Sequence, residues 1–111
     1  MTSLNEKLRA VQSAFAALDI PTVRHYYRTD LNPPYLLWAE SGEGESYWAN
    51  NAMAEQIITG DVDYFTRAEF DPAVDAIQET IGSVSRGWRL DSVDYEEDTN
   101  LIHYHWTFEV A

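Results

Sequence analysis

Two short segments carry the residues best suited to chemistry. His103-x-His105 sets two imidazoles two residues apart, on one side of any strand that holds them. Imidazole nitrogen is a common zinc ligand, so the pair is a candidate half of a metal site. Such a site needs a third or fourth ligand, and nothing in the sequence brings His25 or a carboxylate close. Asp61-x-Asp63 projects two carboxylates together in the same way. Paired carboxylates divide acid and base roles only where their environments differ, which calls for a buried cleft. The alternation around both pairs predicts an open sheet face instead, wetted by solvent or met by another subunit. Repulsion between Asp61 and Asp63 favours a cationic neighbour.

The remaining chemistry is thin. The chain has no cysteine, which excludes disulfides and thiolate metal sites. It has no Gly-rich phosphate loop and no nucleophile elbow. Ser83 and Ser85 have no histidine at a recognisable spacing. Tyr26-Tyr27, Tyr47-Trp48 and Trp88 are able to line a small-ligand pocket, although such aromatics more often anchor cores or interfaces. The expectation is a protein without catalytic residues, metal or cofactor.

The elements that position these residues are readable in order. Ser3-Leu4-Asn5-Glu6 fits a capping box, and Leu4, Leu8, Val11, Phe15 and Leu18 recur on one helical face. A helix over 4–18 follows, ended by Pro21. Residues 22–34 have strand-like composition without clean alternation, and Pro33-Pro34 imposes extended backbone. Residues 35–39 read as a buried strand, 41–45 as a charged hairpin loop, and 47–49 as the start of a return strand, with Asn50-Asn51 as a bulge or turn. From Ala54 to Arg67 alternation predicts a half-buried strand, with Gly60 marking a bulge or a close backbone approach. Asp71-Pro72 opens a second helix, with Asp as cap and Pro at its first position. Its apolar stripe is Val74, Ile77, Ile81 and Val84, and Arg86 and Gly87 close it. A strand over 88–95 slips near Ser92, a turn occupies 96–100, and 101–110 is the cleanest alternating strand. The expected fold is one α+β domain in the order α-β-β-β-α-β-β. About five mostly antiparallel strands carry two helices on one face, and Asp61, Asp63, His103, His105 and Thr107 occupy the other.

Length and charge bound the function. With 111 residues the chain is the size of one small domain. No apolar run approaches the ~20 residues of a membrane span, and the polar N-terminus is not that of a secretory signal. A net charge of −12 argues against general nucleic-acid binding and against docking on an anionic membrane. The charge is uneven. Residues 1–30 carry four basic and three acidic groups, whereas residues 31–111 carry three basic and sixteen acidic ones. Such a dipolar layout suits head-to-tail contact between copies, and it equally serves solubility.

The segment pattern resembles the small tail-completion proteins, or tail terminators, of tailed-phage and prophage tail modules. The matching residues are Pro33-Pro34-Tyr35, the stretch Asp61-Val62-Asp63-Tyr64-Phe65-Thr66-Arg67, Asp71-Pro72 with residues 77–81, and Tyr104-His105-Trp106-Thr107-Phe108-Glu109. The resemblance implies a subunit of the virion tail that assembles as a ring, commonly a hexamer. The ring caps the tail tube, stops its growth and joins it to head-completion or neck proteins, with DNA passing through. Its contacts are expected among Glu43, Glu45, Glu96, Glu97 and Asp98 at the acidic loop tips. Asp61 and Asp63 on the open face, and Arg24 and Arg28 in the basic region, are the other candidates. Two alternatives carry different expectations. An acidic mimic of DNA would set carboxylates in two rows near phosphate spacing. A small ligand-binding or enzymatic domain would enclose a deep aromatic cavity holding a His or Asp of shifted pKa.

Overall fold

A computed structural model describes residues 3–26, 31–44, 47–49 and 52–111; for 47–49 and 52–55 it describes the backbone alone. Helix α1 is Leu4–Ala16, followed by strands β1 (Thr22–His25), β2 (Tyr35–Glu43), β3 (Tyr47–Ala49), β4 (Ala52–Glu55) and β5 (Ile58–Thr66). Helix α2 is Pro72–Val84, and β6 (Gly87–Glu96) and β7 (Leu101–Val110) end the chain. The main sheet has the order β1-β2-β5-β7-β6, and β3 and β4 form a separate two-stranded ribbon. All main-sheet pairs are antiparallel except β1 with β2. With the ribbon set aside as an insertion between β2 and β5, the sequence of elements is the expected α-β-β-β-α-β-β, although β1 takes the place expected for 47–49 and the strand expected over 54–67 is split between β4 and β5.

Both helices start where their caps dictate. Ser3 Oγ accepts the Glu6 amide at 3.1 Å. Asp71 Oδ1 accepts the Ala73 amide at 2.9 Å, with Pro72 just inside the helix, where its missing N–H costs nothing. The stripes then meet one sheet face. Val11 and Phe15 from α1 and Ile77 and Ile81 from α2 are fully buried against Leu36, Trp38, Val62, Tyr64, Trp106 and Phe108. Each of those aliphatic burials contributes roughly 1.5–3 kcal/mol. Lys7 is buried too, its ammonium donating to the Gln56 carbonyl at 2.5 Å. Leu4, expected on the α1 stripe, stays exposed at the helix start.

Gly60 is a close-approach position. A Cβ there would lie 2.6 Å from Phe108 Cζ and 3.0 Å from the Ala39 carbonyl oxygen. Opposite it, β2 bulges between Glu40 and Gly42. Gly60→Ala is expected to cost about 1–3 kcal/mol through overpacking, read as a lower urea midpoint at unchanged slope. An unchanged midpoint would show that the Phe108 ring can move aside freely.

Several local expectations are corrected. Residues 22–25 form β1; four residues are too few to show alternation, and pairing with Tyr35–Trp38 decides their state. Residues 41–43 are strand rather than loop, because β5 offers partners as far as Glu43–Ile58 and Ser41 is absorbed in the bulge. The return strand at 47–49 pairs with Ala52–Glu55, not with β2. Helix α2 ends before Arg86 and Gly87, because the Arg86 amide already donates to the Glu109 carbonyl at 2.8 Å and starts the β6–β7 ladder. The slip near Ser92 is a bulge between Leu90 and Ser92, and the turn at 97–100 lies where expected. The expected Asn50-Asn51 turn lies outside the described residues.

Candidate functional site

The open face is built by the register of β5 on β7. Asp61 sits opposite Thr107 and Asp63 opposite His105, and each carboxylate reaches diagonally to the imidazole two residues before its opposite number. His103 Nε2 lies 2.6 Å from Asp63 Oδ1, and His105 Nε2 lies 2.9 Å from Asp61 Oδ1. All four side chains are half-buried. Each aspartate thus finds a hydrogen-bonding imidazole within the same chain. Phe65 stacks on His103 at 4.1 Å and on Tyr35 at 4.7 Å, so an aromatic row fixes the orientation of the first pair.

The face continues onto β6. Asp91, in the bulge, accepts from Arg89 Nε at 2.5 Å and from the Thr107 hydroxyl. It lies 3.8 Å from His105 Nδ1. The Thr107 hydroxyl bond, reinforced by Arg89 and His105 against a small burial cost, holds the Asp91 carboxyl below the usual range. Among the described residues, no three or more His, Cys, Asp or Glu side chains form a group able to hold a metal. His25 stands at the far side of the sheet, its Nε2 2.7 Å from Glu40 Oε1 and its ring stacked on Trp38 at 3.9 Å.

His103 has a raised pKa. The hydrogen bond to Asp63 raises it most; burial opposes, and the charges of Asp63, Glu96 and Asp94 add to the rise. A group whose pKa is higher folded than unfolded adds stability that is complete below the unfolded value and lost as pH rises through the folded one. As pH rises from the ordinary imidazole value of about 6.5 through the raised value of His103, the wild type is therefore expected to lose stability relative to His103→Gln, measured as the difference of urea midpoints. A difference that stays flat with pH would show that the charged pair adds nothing.

A second surface lies on the helix side of β6. Helix α2 has 13 residues, about 20 Å of helix, whereas β6 has ten residues, about 33 Å of strand, so α2 cannot cover its whole length. Trp88 lies over Gly82 near the end of α2. Further along, Leu90, Val93 and Tyr95 face the helix layer but stay substantially exposed, Val93 at 50% and Tyr95 at 60%. An open groove of about 940 Å³ runs beside Val93 and Tyr95, lined also by Phe70, Val74, Ile102 and Tyr104 and by the charged Arg67, Glu69, Asp71 and Asp75. Phe70 is 96% exposed and has φ 54, a left-handed conformation unusual for a bulky residue. Asp71 borders the groove, but its carboxylate is committed to the Ala73 amide and to the Tyr64 and Thr66 hydroxyls.

The expected contact residues are dispersed. Glu96, Glu97 and Asp98 are exposed at the tip of the β6–β7 hairpin. Glu43 ends β2 and accepts from Gln56 Nε2 at 3.0 Å, so it is held on a strand rather than at a free loop tip. Arg24 is exposed on edge strand β1, where its guanidinium bonds the Val23 carbonyl. Glu45 and Arg28 lie outside the described residues, as do Tyr27 and the side chains of Tyr47 and Trp48. Tyr26 and Trp88 stand at opposite edges of the sheet and line no common pocket. The uncovered strip on β6 was not anticipated. Its signal is the run Trp88, Leu90, Val93, Tyr95 in a strand next to the chain's most acidic turn.

No protein-family model matches the chain, and no curated protein matches it. Among solved structures it is similar to a chain of the virion of a native gene transfer agent (GTA) particle. The TM-score is 0.50 and the identity 12%, with 96% of this chain and 88% of that chain covered. At that identity the likeness is one of fold.

Proposed function

We propose that the chain is a structural subunit of a phage-like virion, of the tail-terminator or tail-completion type. It assembles as a ring of identical copies, six as in the tail-completion proteins it resembles, that caps the tail tube and joins it to the neck and head. The observation that carries this reading is the fold shared, over nearly the full length of both chains, with a component of a gene transfer agent particle. The resemblance of Asp61–Arg67, Asp71-Pro72 and the last strand to tail-completion proteins favours a role in the tail. The physics supports assembly in three ways. The sheet has two edges, β1 and β6, that differ in sequence and charge, which suits heterologous contacts closing by rotation. An apolar strip remains uncovered on one of them. The acidic majority of the chain would repel passing DNA rather than grip it, which suits a conduit. The site of action is the virion tail, after assembly in the host cytoplasm, with the tail-tube protein and neck proteins as partners and no enzymatic step.

The test is polymerisation of the particle's tail-tube protein with and without this chain, imaged by electron microscopy. Tubes ending in a ring and ceasing to grow are expected. Tubes of unchanged length with bare ends would overturn the assignment.

A further inference from the structure

The geometry points to a specific contact: the β6 edge of one copy docks on the β1 edge of the next, with the Leu90–Val93–Tyr95 strip as its apolar seat. This rests on the reading of the chain as a self-assembling subunit. Strands β1 and β6 are the two outer strands of the main sheet. Among the described residues each has a main-sheet partner on one side only, and such strand edges template pairing with another chain. Their directions are opposite: β1 runs parallel to β2, and three antiparallel steps follow to β6. A copy placed edge to edge in the same orientation therefore meets β6 with an antiparallel β1. The lengths also agree. Beyond the bulge, β6 offers the regular stretch from Ser92 to Glu96, and β1 has four residues.

The two faces of that joint are complementary. On the open side β6 presents Asp94 and Glu96, which share the face of His103, and β1 presents Arg24, which shares the face of Leu37. From Ser92 through the hairpin turn the chain carries Asp94, Glu96, Glu97 and Asp98 and no basic residue. On the helix side the strip of the first copy reaches the half-buried Leu18, Ile20 and Val23 of the next. Together these place carboxylates against a guanidinium on one face and apolar groups against apolar groups on the other. Phe70 extends the seat. A bulky residue held at φ 54 with its ring in solvent carries backbone strain that the isolated subunit gains nothing from.

Native mass spectrometry and sedimentation of the full chain, alone and with tail-tube protein, test this with four substitutions. Val93→Asp is expected to raise the dissociation constant of the oligomer at least about tenfold while leaving the far-UV spectrum and thermal midpoint of the monomer intact. Phe70→Gly separates folding from assembly: it relieves the left-handed strain and raises the thermal midpoint, yet weakens the oligomer. The absence of cysteine permits a third experiment. An Arg24→Cys chain mixed with an Asp94→Cys chain is expected to give a disulfide-linked mixed dimer on oxidation, in excess over either chain alone. An oligomer that survives both Val93→Asp and Phe70→Gly would overturn this interface and leave ring assembly standing. Cross-linking of Asp94→Cys chains to one another instead would overturn it in favour of a two-fold β6–β6 contact. A wild type that stays monomeric even with tail-tube protein would remove the assembly reading itself, and this contact with it.

Discussion

Asp71→Ala is expected to destabilise the fold by about 3 kcal/mol or more, an unusually large effect for a partly exposed position. The carboxylate performs three tasks at once. It caps α2 through the Ala73 amide at 2.9 Å, and accepts the Tyr64 hydroxyl at 2.7 Å and the Thr66 hydroxyl at 2.8 Å. Loss of a cap costs ~1 kcal/mol, and each hydroxyl stranded in a buried setting costs ~1–3 kcal/mol. Tyr64 and Thr66 are both buried, so water cannot replace the lost acceptor without rearrangement. Burial alone would raise the Asp71 carboxyl, but the Ala73, Tyr64 and Thr66 hydrogen bonds outweigh it and hold its pKa below the ordinary value. The stabilisation is therefore present above the unfolded pKa and lost as pH falls through the folded one. Asp71→Asn keeps one acceptor oxygen and should lose clearly less. Equilibrium urea denaturation of both variants at neutral pH checks the order. Equal midpoints for wild type and Asp71→Ala would show that the network is dispensable.

Trp106→Ala and Trp88→Ala should part company completely. Trp106 is fully buried, stacked on Tyr104 at 5.8 Å, with its Nε1 donating to Gln78 Oε1 at 3.1 Å. Its removal leaves a large cavity beneath α2 and strands Gln78, a loss of about 3–5 kcal/mol. Domains of this size have only about 5–15 kcal/mol in hand, so Trp106→Ala is expected to abolish most of the cooperative transition. Trp88 is 41% exposed at the edge of the helix layer, and its truncation should cost far less. Near-UV circular dichroism and denaturation curves of the two variants decide this. Similar losses in both would mean that α2 covers β6 more fully than the exposure of Val93 and Tyr95 implies.

The parts of this molecule that were legible in the sequence are those governed by local rules. Asp71-Pro72 marks its helix because capping and the proline ring act within one turn. The five alternating residues from Ile102 to Val110 give β7 its helix-side face, buried at Trp106, Phe108 and Val110, because its neighbours on both sides share the pleat. The same alternation places Asp61, Asp63, His103 and His105 on one face. It cannot pair them, since pairing depends on the β5–β7 register across forty residues. Strand β1 was illegible because its state is set by β2, and residues 41–43 because β5 turns a glycine-containing, charged segment into a bulged strand end. The exposed strip on β6 was hidden for a different reason. Its alternating apolar residues read like any buried strand, and only the length of α2 relative to β6 reveals that part of it is left bare.

That strip connects the fold to the proposed role, because a monomer has little use for exposed Val93, Tyr95 and Phe70 while a ring subunit has a place to bury them. The most direct test of the whole account is native mass spectrometry of the chain in the presence of tail-tube protein. A single closed oligomer of fixed stoichiometry, bound to tube protein, is the predicted result. A monomer at every concentration, with no tube-protein complex, would contradict it.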